Sequence, residues 1–279
     1  MTSRNQGQEQ EVIGLLPAAG QAKRIGPLPG SKELYPIGFR LVDEGRSLRP
    51  KVVCQYLLEK MRLADITKAY ILLRSGKWDI PAYLGDGAAL NMHLGYLIMG
   101  LPFGVPYTLD QAYPFVKEAL VVLGFPDILF QPDDAFIRLL ERQATRKVDV
   151  VLGLFPTDQA NKAGMVDFDA EGRVRLVLEK PLQTSLRYMW GIAVWTPIFT
   201  QFMHEFLAAI EADKLQNEID KTLQQQQELP IGDVFQAAID NGLEIDAEVF
   251  ANGTCLDIGT PENLVRAVHD FAVETLEKR

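Results

Sequence analysis

Sulfur and imidazole are scarce in this chain. It has two cysteines, Cys54 and Cys255, in 279 residues. They lie far apart and match no metal-ligand spacing, so they are expected to be buried free thiols in a reducing cytoplasm. His93, His204 and His269 are scattered, and His204–Glu205 lacks the second histidine of H-E-x-x-H, which leaves zinc without a motif. No G-x-S-x-G elbow is present for a serine nucleophile. Positive charge is in deficit: 28 Lys and Arg stand against 37 Asp and Glu, a formal charge of −9. That balance excludes a nucleic-acid footprint, because a polyanion needs a basic surface. No apolar run reaches the roughly 18 residues of a membrane helix. The opening MTSRNQGQEQE has no apolar core and is no signal peptide. Residues 1–11 are therefore expected to be a disordered tail, and 12–279 a single cytoplasmic domain. Hydrophobic content of 47% and charged content of 23% are those of a globular protein with a full core.

The chain is organised around the stretch from Val12 to Ile37, VIGLLPAAGQAKRIGPLPGSKELYPI. Val12–Leu16 is an apolar run and predicts a buried strand. It feeds the small residues Ala18, Ala19 and Gly20, then the cations Lys23, Arg24 and Lys32. Small residues let backbone N–H groups approach a ligand, and cations on the same loop suit a polyphosphate. An ordinary strand–turn with a solvated basic loop fits the same residues, so the loop alone leaves both readings open. Two standard phosphate loops are excluded. Gly26–Lys32 reads GPLPGSK, with the wrong spacing for a P-loop and no hydroxyl after the lysine. Gly20 is followed by Gln21 and Ala22, which breaks the Rossmann G-x-G-x-x-G.

Further along, Gly38–Pro50 is polar and turn-rich and reads as a surface excursion. Periodicity predicts a helix over Lys51–Leu63, a strand over Ala69–Leu73, a loop over Lys77–Gly87 and a strand over Leu94–Met99. Thr108 can cap a helix running to Lys117. Leu120–Phe125 is a strand ending at Pro126–Asp127, Ala135–Arg146 a helix, and Val148–Phe155 a strand. This alternation implies a doubly wound sheet with right-handed crossovers. Ligands of such sheets sit beyond the strand carboxyl ends, where both the opening loop and Asp127 fall. The second half has short strands at Val166–Phe168, Val174–Leu178 and Trp190–Trp195, which suggests antiparallel additions. Pro197–Lys214 and Pro230–Asn241 are helices, Gln224–Gln227 a polar connector, Glu244–Phe250 a strand, and Pro261–Lys278 a final helix. Asp133–Asp134 are read as caps of the helix that follows, and Trp190 and Trp195 as core.

LLPAAGQAKRIGPLPGSKELYPI resembles the signature loop of the sugar-1-phosphate nucleotidyltransferases, roughly L-x-A-A-G-x-G-T-R-L-x-P-L-T-x-x-x-P-K-x-L-x-P-I. Ala19, Gly20, Arg24, Pro27, Leu28, Lys32, Leu34, Pro36 and Ile37 match. Ala22 stands where the family has Gly, Lys23 where it has Thr or Ser, and Ser31 where it has Pro. Phe103–Ala112 (FGVPYTLDQA), Val121–Phe130 (VVLGFPDILF), Gly164–Asp169 (GMVDFD), Glu179–Lys180–Pro181, Gly191 and Leu256–Leu264 (LDIGTPENL) resemble the family's later segments, in the same order. The resemblance implies a Rossmann-like three-layer αβα nucleotidyltransferase fold with a mixed central sheet.

It also implies a reaction. An NTP meets a sugar 1-phosphate, whose oxygen attacks the α-phosphorus in line while pyrophosphate leaves. Such a step needs charge neutralisation and alignment more than a protein nucleophile. By this resemblance Arg24 holds the leaving phosphates and Lys32 the α-phosphate. Lys180 holds the acceptor phosphate. Asp127 and Asp257 are the Mg²⁺ ligands. Ala18, Ala19, Gly20, Gln21, Gly104, Tyr107 and Gln111 are assigned to the nucleotide; Gly164, Glu179 and Gly191 are assigned to the sugar. KELYPI resembles the UTP–glucose branch and LDIGTP the dTTP–glucose branch, so the base stays open between them, with glucose 1-phosphate as acceptor. A cytidylyltransferase for another phosphate acceptor, or a non-catalytic NDP-sugar-binding relative, are the alternatives. The sequence leaves the oligomeric state open, a homo-oligomer included.

Overall fold

The computed structural model describes residues 10–42, 47–100, 104–216 and 228–277. Most of the expected tail, Phe103, the run Gln224–Gln227 and the terminal Lys278 lie outside the described residues.

Thirteen strands are described: β1 Val12–Pro17, β2 Pro36–Val42, β3 Ser47–Val52, β4 Lys68–Arg74, β5 His93–Met99, β6 Leu120–Leu123, β7 Ile128–Gln131, β8 Val150–Pro156, β9 Gly164–Phe168, β10 Val174–Glu179, β11 Tyr188–Trp195, β12 Ile245–Val249 and β13 Thr254–Asp257. Eight helices accompany them: α1 Val53–Leu63, α2 Asp79–Leu84, α3 Val105–Asp110, α4 Tyr113–Val116, α5 Ala135–Arg146, α6 Pro197–Gln216, α7 Ile231–Asp240 and α8 Pro261–Glu277.

One mixed sheet organises them. β5, β4, β1 and β6 pair in parallel. β11 then lies antiparallel to β6 and to β8, and β12 runs parallel to β8. The hairpin β9–β10 joins β11 at Met189–Met165. Alternation along the strands splits the core in two. Ile13, Leu15, Val121 and Leu123 face Phe199 of α6 and Phe235 of α7. Leu16 and Val122 face Leu57 of α1 and Phe136 of α5. This is the three-layer αβα arrangement with a mixed sheet. Because β1 and β6 are parallel neighbours, their carboxyl ends deliver the small-residue loop and Asp127 to the same edge.

Five expectations are corrected. Gly38–Pro50 is a surface excursion but not a run of turns: Pro36–Val42 and Ser47–Val52 pair as an antiparallel ribbon. It packs on α8, and Phe39 and Leu41 remain exposed. The ribbon also takes Lys51 and Val52 from the start of the expected helix. Lys77–Gly87 contains the helix α2, in which Pro81 is the third residue and owes no intrahelical hydrogen bond. Thr108 does not cap a helix, since α3 begins three residues earlier and the Thr108 hydroxyl donates back to the Gly104 carbonyl at 3.2 Å. Leu120–Phe125 stays in the sheet only to Leu123.

Candidate active site

Past Pro17, the Ala18 N–H still donates to the Leu72 carbonyl at 2.8 Å, so Ala18 is buried as the last rung of the sheet. From Ala19 the chain leaves the sheet and lines a cavity of about 370 Å³ with Gly20, Gln21, Lys23 and Arg24. A side-chain carbon on Gly20 would meet nothing within 4 Å, so its backbone is open to the cavity. Ala22 is held at φ 52°, and its carbonyl accepts from Ile25 at 3.2 Å and Gly26 at 2.9 Å. That left-handed backbone is what a glycine supplies freely and an alanine adopts under strain. At the loop's far end the Ser31 N–H and hydroxyl donate to the two Asp79 carboxylate oxygens at 2.7 and 2.8 Å. A proline at that position could not make the first of these bonds.

The 3-10 turn Lys32–Leu34 carries the next pieces. Lys32 bonds Asp127 across the cavity floor, and both side chains are mostly buried. Burial alone would lower the Lys32 ammonium. The charge and hydrogen bond of Asp127, with Asp257 and Glu33 adding, raise it above the usual lysine value instead. Arg24 bonds Asp257 at 2.8 Å, at the exposed rim. The Gly259 N–H donates to the other Asp257 oxygen at 2.7 Å. β13 pairs with β7, setting Asp257 opposite Ile128, and the Ile258 N–H donates to the Asp127 carbonyl at 3.1 Å. Two carboxylates distant in sequence are thus fixed side by side, each facing a cation of the signature loop. Among the described residues no group of three His, Cys, Asp or Glu side chains gathers as a metal cluster. A pair of carboxylates is nevertheless the protein share that Mg²⁺ takes when phosphate oxygens complete its shell.

Under this layer Glu33 and Lys77, side chains 2% and 5% exposed, form an ion pair at 2.6 Å. Burial pushes the Glu33 carboxyl up despite the pull of Lys77.

Glu179 ends β10 in a separate hollow. A carbon added to Gly164 would lie 2.7 Å from a Glu179 oxygen, and one added to Gly232 would lie 2.0 Å away, so only glycines fit there. The Trp190 indole donates to the same oxygen at 3.4 Å, and the Gly232 N–H supplies a further bond. The carboxylate therefore sits at the N-terminal turn of α7, where the helix dipole favours an anion. Burial nonetheless raises its pKa. Phe125, on the cavity wall, packs against Trp190 with ring centroids 5.9 Å apart and links the two regions. Lys180 follows at φ 47°, exposed, its N–H donating to the Ala163 carbonyl at 3.0 Å.

The structure thus brings Ala19, Gly20, Gln21, Arg24, Lys32, Gly104 and Asp127 to one cavity, with Asp257 at its rim. It gathers Gly164, Glu179 and Lys180 nearby. Gln111 is exposed at the end of α3 and does not line the cavity. Tyr107 packs against the core. Gly191 is buried against Cys255 and Phe155, so its role there is close packing. Asp133 pairs with Lys60, and Asp134 is the N-cap residue of α5 without a side-chain cap bond. Sequence reasoning missed Glu33, Phe125, Glu228 and Gly259, all on the cavity wall. Gly259 carried a signal, since it lies in the LDIGTP stretch beside Asp257. Gly104 sits at φ 122°, and a side chain there would strike the Leu229 carbonyl at 2.3 Å.

A family model described as "Nucleotidyl transferase" matches residues 13–274. Among curated proteins, the chain is 24% identical over 259 residues to the low-salt glycan biosynthesis nucleotidyltransferase Agl11 of Haloferax volcanii, covering 91% of this chain and 64% of that protein. It is 27% identical over 249 residues to a glucose-1-phosphate thymidylyltransferase of Streptomyces antibioticus, covering 88% of this chain and again 64% of the relative. It thus spans somewhat under two thirds of the length of these relatives. A third, from Mycolicibacterium smegmatis and of the same name, is 28% identical with 95% of this chain and 83% of the relative covered. Among solved structures, UTP-bound UGPase from Acinetobacter baumannii superposes with a TM-score of 0.70 at 15% identity, over 96% of this chain and 97% of that one. A Bacillus anthracis protein provisionally assigned as a glucose-1-phosphate thymidylyltransferase, solved with sucrose, gives 0.74 at 19% identity, over 92% and 94%. At these identities the likeness is one of fold.

Proposed function

Since the chain belongs to the nucleotidyl transferase family, we propose that it condenses an NTP with a sugar 1-phosphate to give an NDP-sugar and pyrophosphate. The observation that carries this reading is the double ion pair at the loop mouth, Lys32 with Asp127 and Arg24 with Asp257. Two cations suited to phosphate and two carboxylates suited to a hard cation thus lie beside a loop whose backbone is open. Thymidylyltransferase relatives and a UTP-bound fold neighbour support dTTP or UTP as donor and glucose 1-phosphate as acceptor.

In this reading the backbone of Ala19–Gln21 and of Gly104 receives the nucleotide. Lys32 leaves Asp127 for the α-phosphate, and Arg24 forks onto the leaving phosphates. The acceptor phosphate lies against Lys180, with its sugar hydroxyls on Glu179. One acceptor phosphate oxygen forms the new bond to the α-phosphorus as the bond to pyrophosphate breaks. The protein aligns the two substrates and neutralises charge, and supplies no nucleophile. Asp127 and Asp257 would hold Mg²⁺, which when bound neutralises charge on the phosphate oxygens. Ala18 and Gly191 support the site through packing. No helix among the described residues is long and apolar enough to cross a membrane. The two free cysteines go with action in the cytoplasm.

The test is pyrophosphate release across a matrix of NTPs and sugar 1-phosphates with Mg²⁺. Release with dTTP or UTP and glucose 1-phosphate is expected. Nucleotide binding with no release from any pair would leave a binding protein rather than an enzyme.

A further inference from the structure

Beyond the Arg24–Asp257 pair lies a second, larger cleft of about 700 Å³, lined by both residues, that shares Arg24 with the first cavity. Its walls come from the turn after β8, the start of β11, β13 and the first turns of α8. Four cations line it, Arg24, Lys162, Arg187 and Arg266, against two carboxylates, Asp158 and Asp257. In a chain of net charge −9 that is a local reversal of sign, and clefts focus such fields. Arg24 and Arg266 have acidic partners, Asp257 and Asp270. Lys162 and Arg187 are exposed and have no ion-pair partner among the described residues. Hydroxyls of Thr157, Thr254 and Thr260 add hydrogen-bonding capacity. No aromatic side chain lines the cleft, so it has no stacking platform for a base.

We infer that this cleft receives the leaving pyrophosphate: Arg24 hands it outward, and Lys162 and Arg187 hold it on its way to solvent. The inference rests on the reading of Arg24 as the group that holds the leaving phosphates. The lining offers cations and hydroxyls to a compact polyanion, and Arg24 lines both this cleft and the first cavity.

The experiment uses inorganic pyrophosphate as the probe and the double variant Lys162→Gln/Arg187→Gln, with Lys147→Gln as a distant charge control. Both targeted side chains are exposed, so folding should be unaffected, which a thermal melt checks. Loss of two charge-assisted contacts should raise the KM for pyrophosphate in the reverse reaction by about tenfold. Pyrophosphate should weaken as a product inhibitor by a similar factor. The KM values for NTP and sugar phosphate should move less than about twofold. Unchanged pyrophosphate constants in the double variant, or an equal shift in Lys147→Gln, would overturn the inference. Calorimetric titration of pyrophosphate keeps the test independent of turnover. Weaker binding by the double variant supports the cleft as the site, and equal binding overturns it. Absence of turnover by the unmodified protein with every substrate pair counts against the transfer reading alone.

Discussion

Ala22 and Ser31 are two positions where this chain departs from the signature loop it resembles, and the structure gives each departure a physical account. Ala22 keeps the left-handed backbone of the glycine it replaces, at φ 52°. Replacing it with glycine relieves that strain while adding unfolded-state freedom, and the first effect is the larger. Ala22→Gly should therefore raise stability by about 0.5–1 kcal/mol, read as a higher midpoint in denaturant. Ser31 gives Asp79 two hydrogen bonds. Burial pulls the Asp79 carboxyl upward, but these bonds and the N–H groups of Asp79 and Ile80 outweigh it and hold the pKa below its usual value. A depressed carboxylate contributes stability that is present above its unfolded pKa and lost as pH falls through the folded one. Asp79→Asn should cost about 1 kcal/mol at neutral pH and flatten the acid limb of the stability profile. An acid limb identical to that of the unmodified protein would remove Asp79 from the account.

Among the elements, the 3-10 turn that carries Lys32 is anchored by the buried Glu33–Lys77 pair to the segment preceding α2. Removing one partner leaves a buried charge unmatched. Lys77→Met should destabilise by about 3–5 kcal/mol, and adding Glu33→Leu should recover most of it; a double-mutant cycle in denaturant measures both. Elements of the central sheet and its long helices were legible because they bury a face. Ala135–Arg146 falls on α5, and the strands around Val12, Ala69 and Leu94 fall on β1, β4 and β5. The ribbon Pro36–Val42/Ser47–Val52 was not legible. It stands off the main sheet and leaves Phe39 and Leu41 in solvent, so no clean apolar-in, polar-out pattern is written into it. Helix α2 was hidden by Pro81, a breaker mid-helix that is harmless in a first turn.

Taken whole, the molecule holds two clefts at one end of its sheet, joined where Arg24 meets Asp257. The sequence placed the loop and Asp127 in one crevice from topology alone. Topology could not place Asp257 beside them, and only the family resemblance joined it to Asp127, because that proximity depends on the pairing of two four-residue strands, β7 and β13, that carry no strong pattern. Glu33 was invisible for a similar reason, since its burial depends on Lys77, 44 residues away. Asp257→Asn should lower Mg²⁺-dependent turnover by at least about 10²-fold with little change in the thermal midpoint, because the carboxylate lies at the partly exposed rim. Asp127 gives the most direct measurement. Pyrophosphate release from dTTP or UTP with glucose 1-phosphate and Mg²⁺, compared between the unmodified protein and Asp127→Asn at matched fold, should show turnover in the first and a loss of at least about 10²-fold in the second. Equal rates in the two proteins would contradict the account.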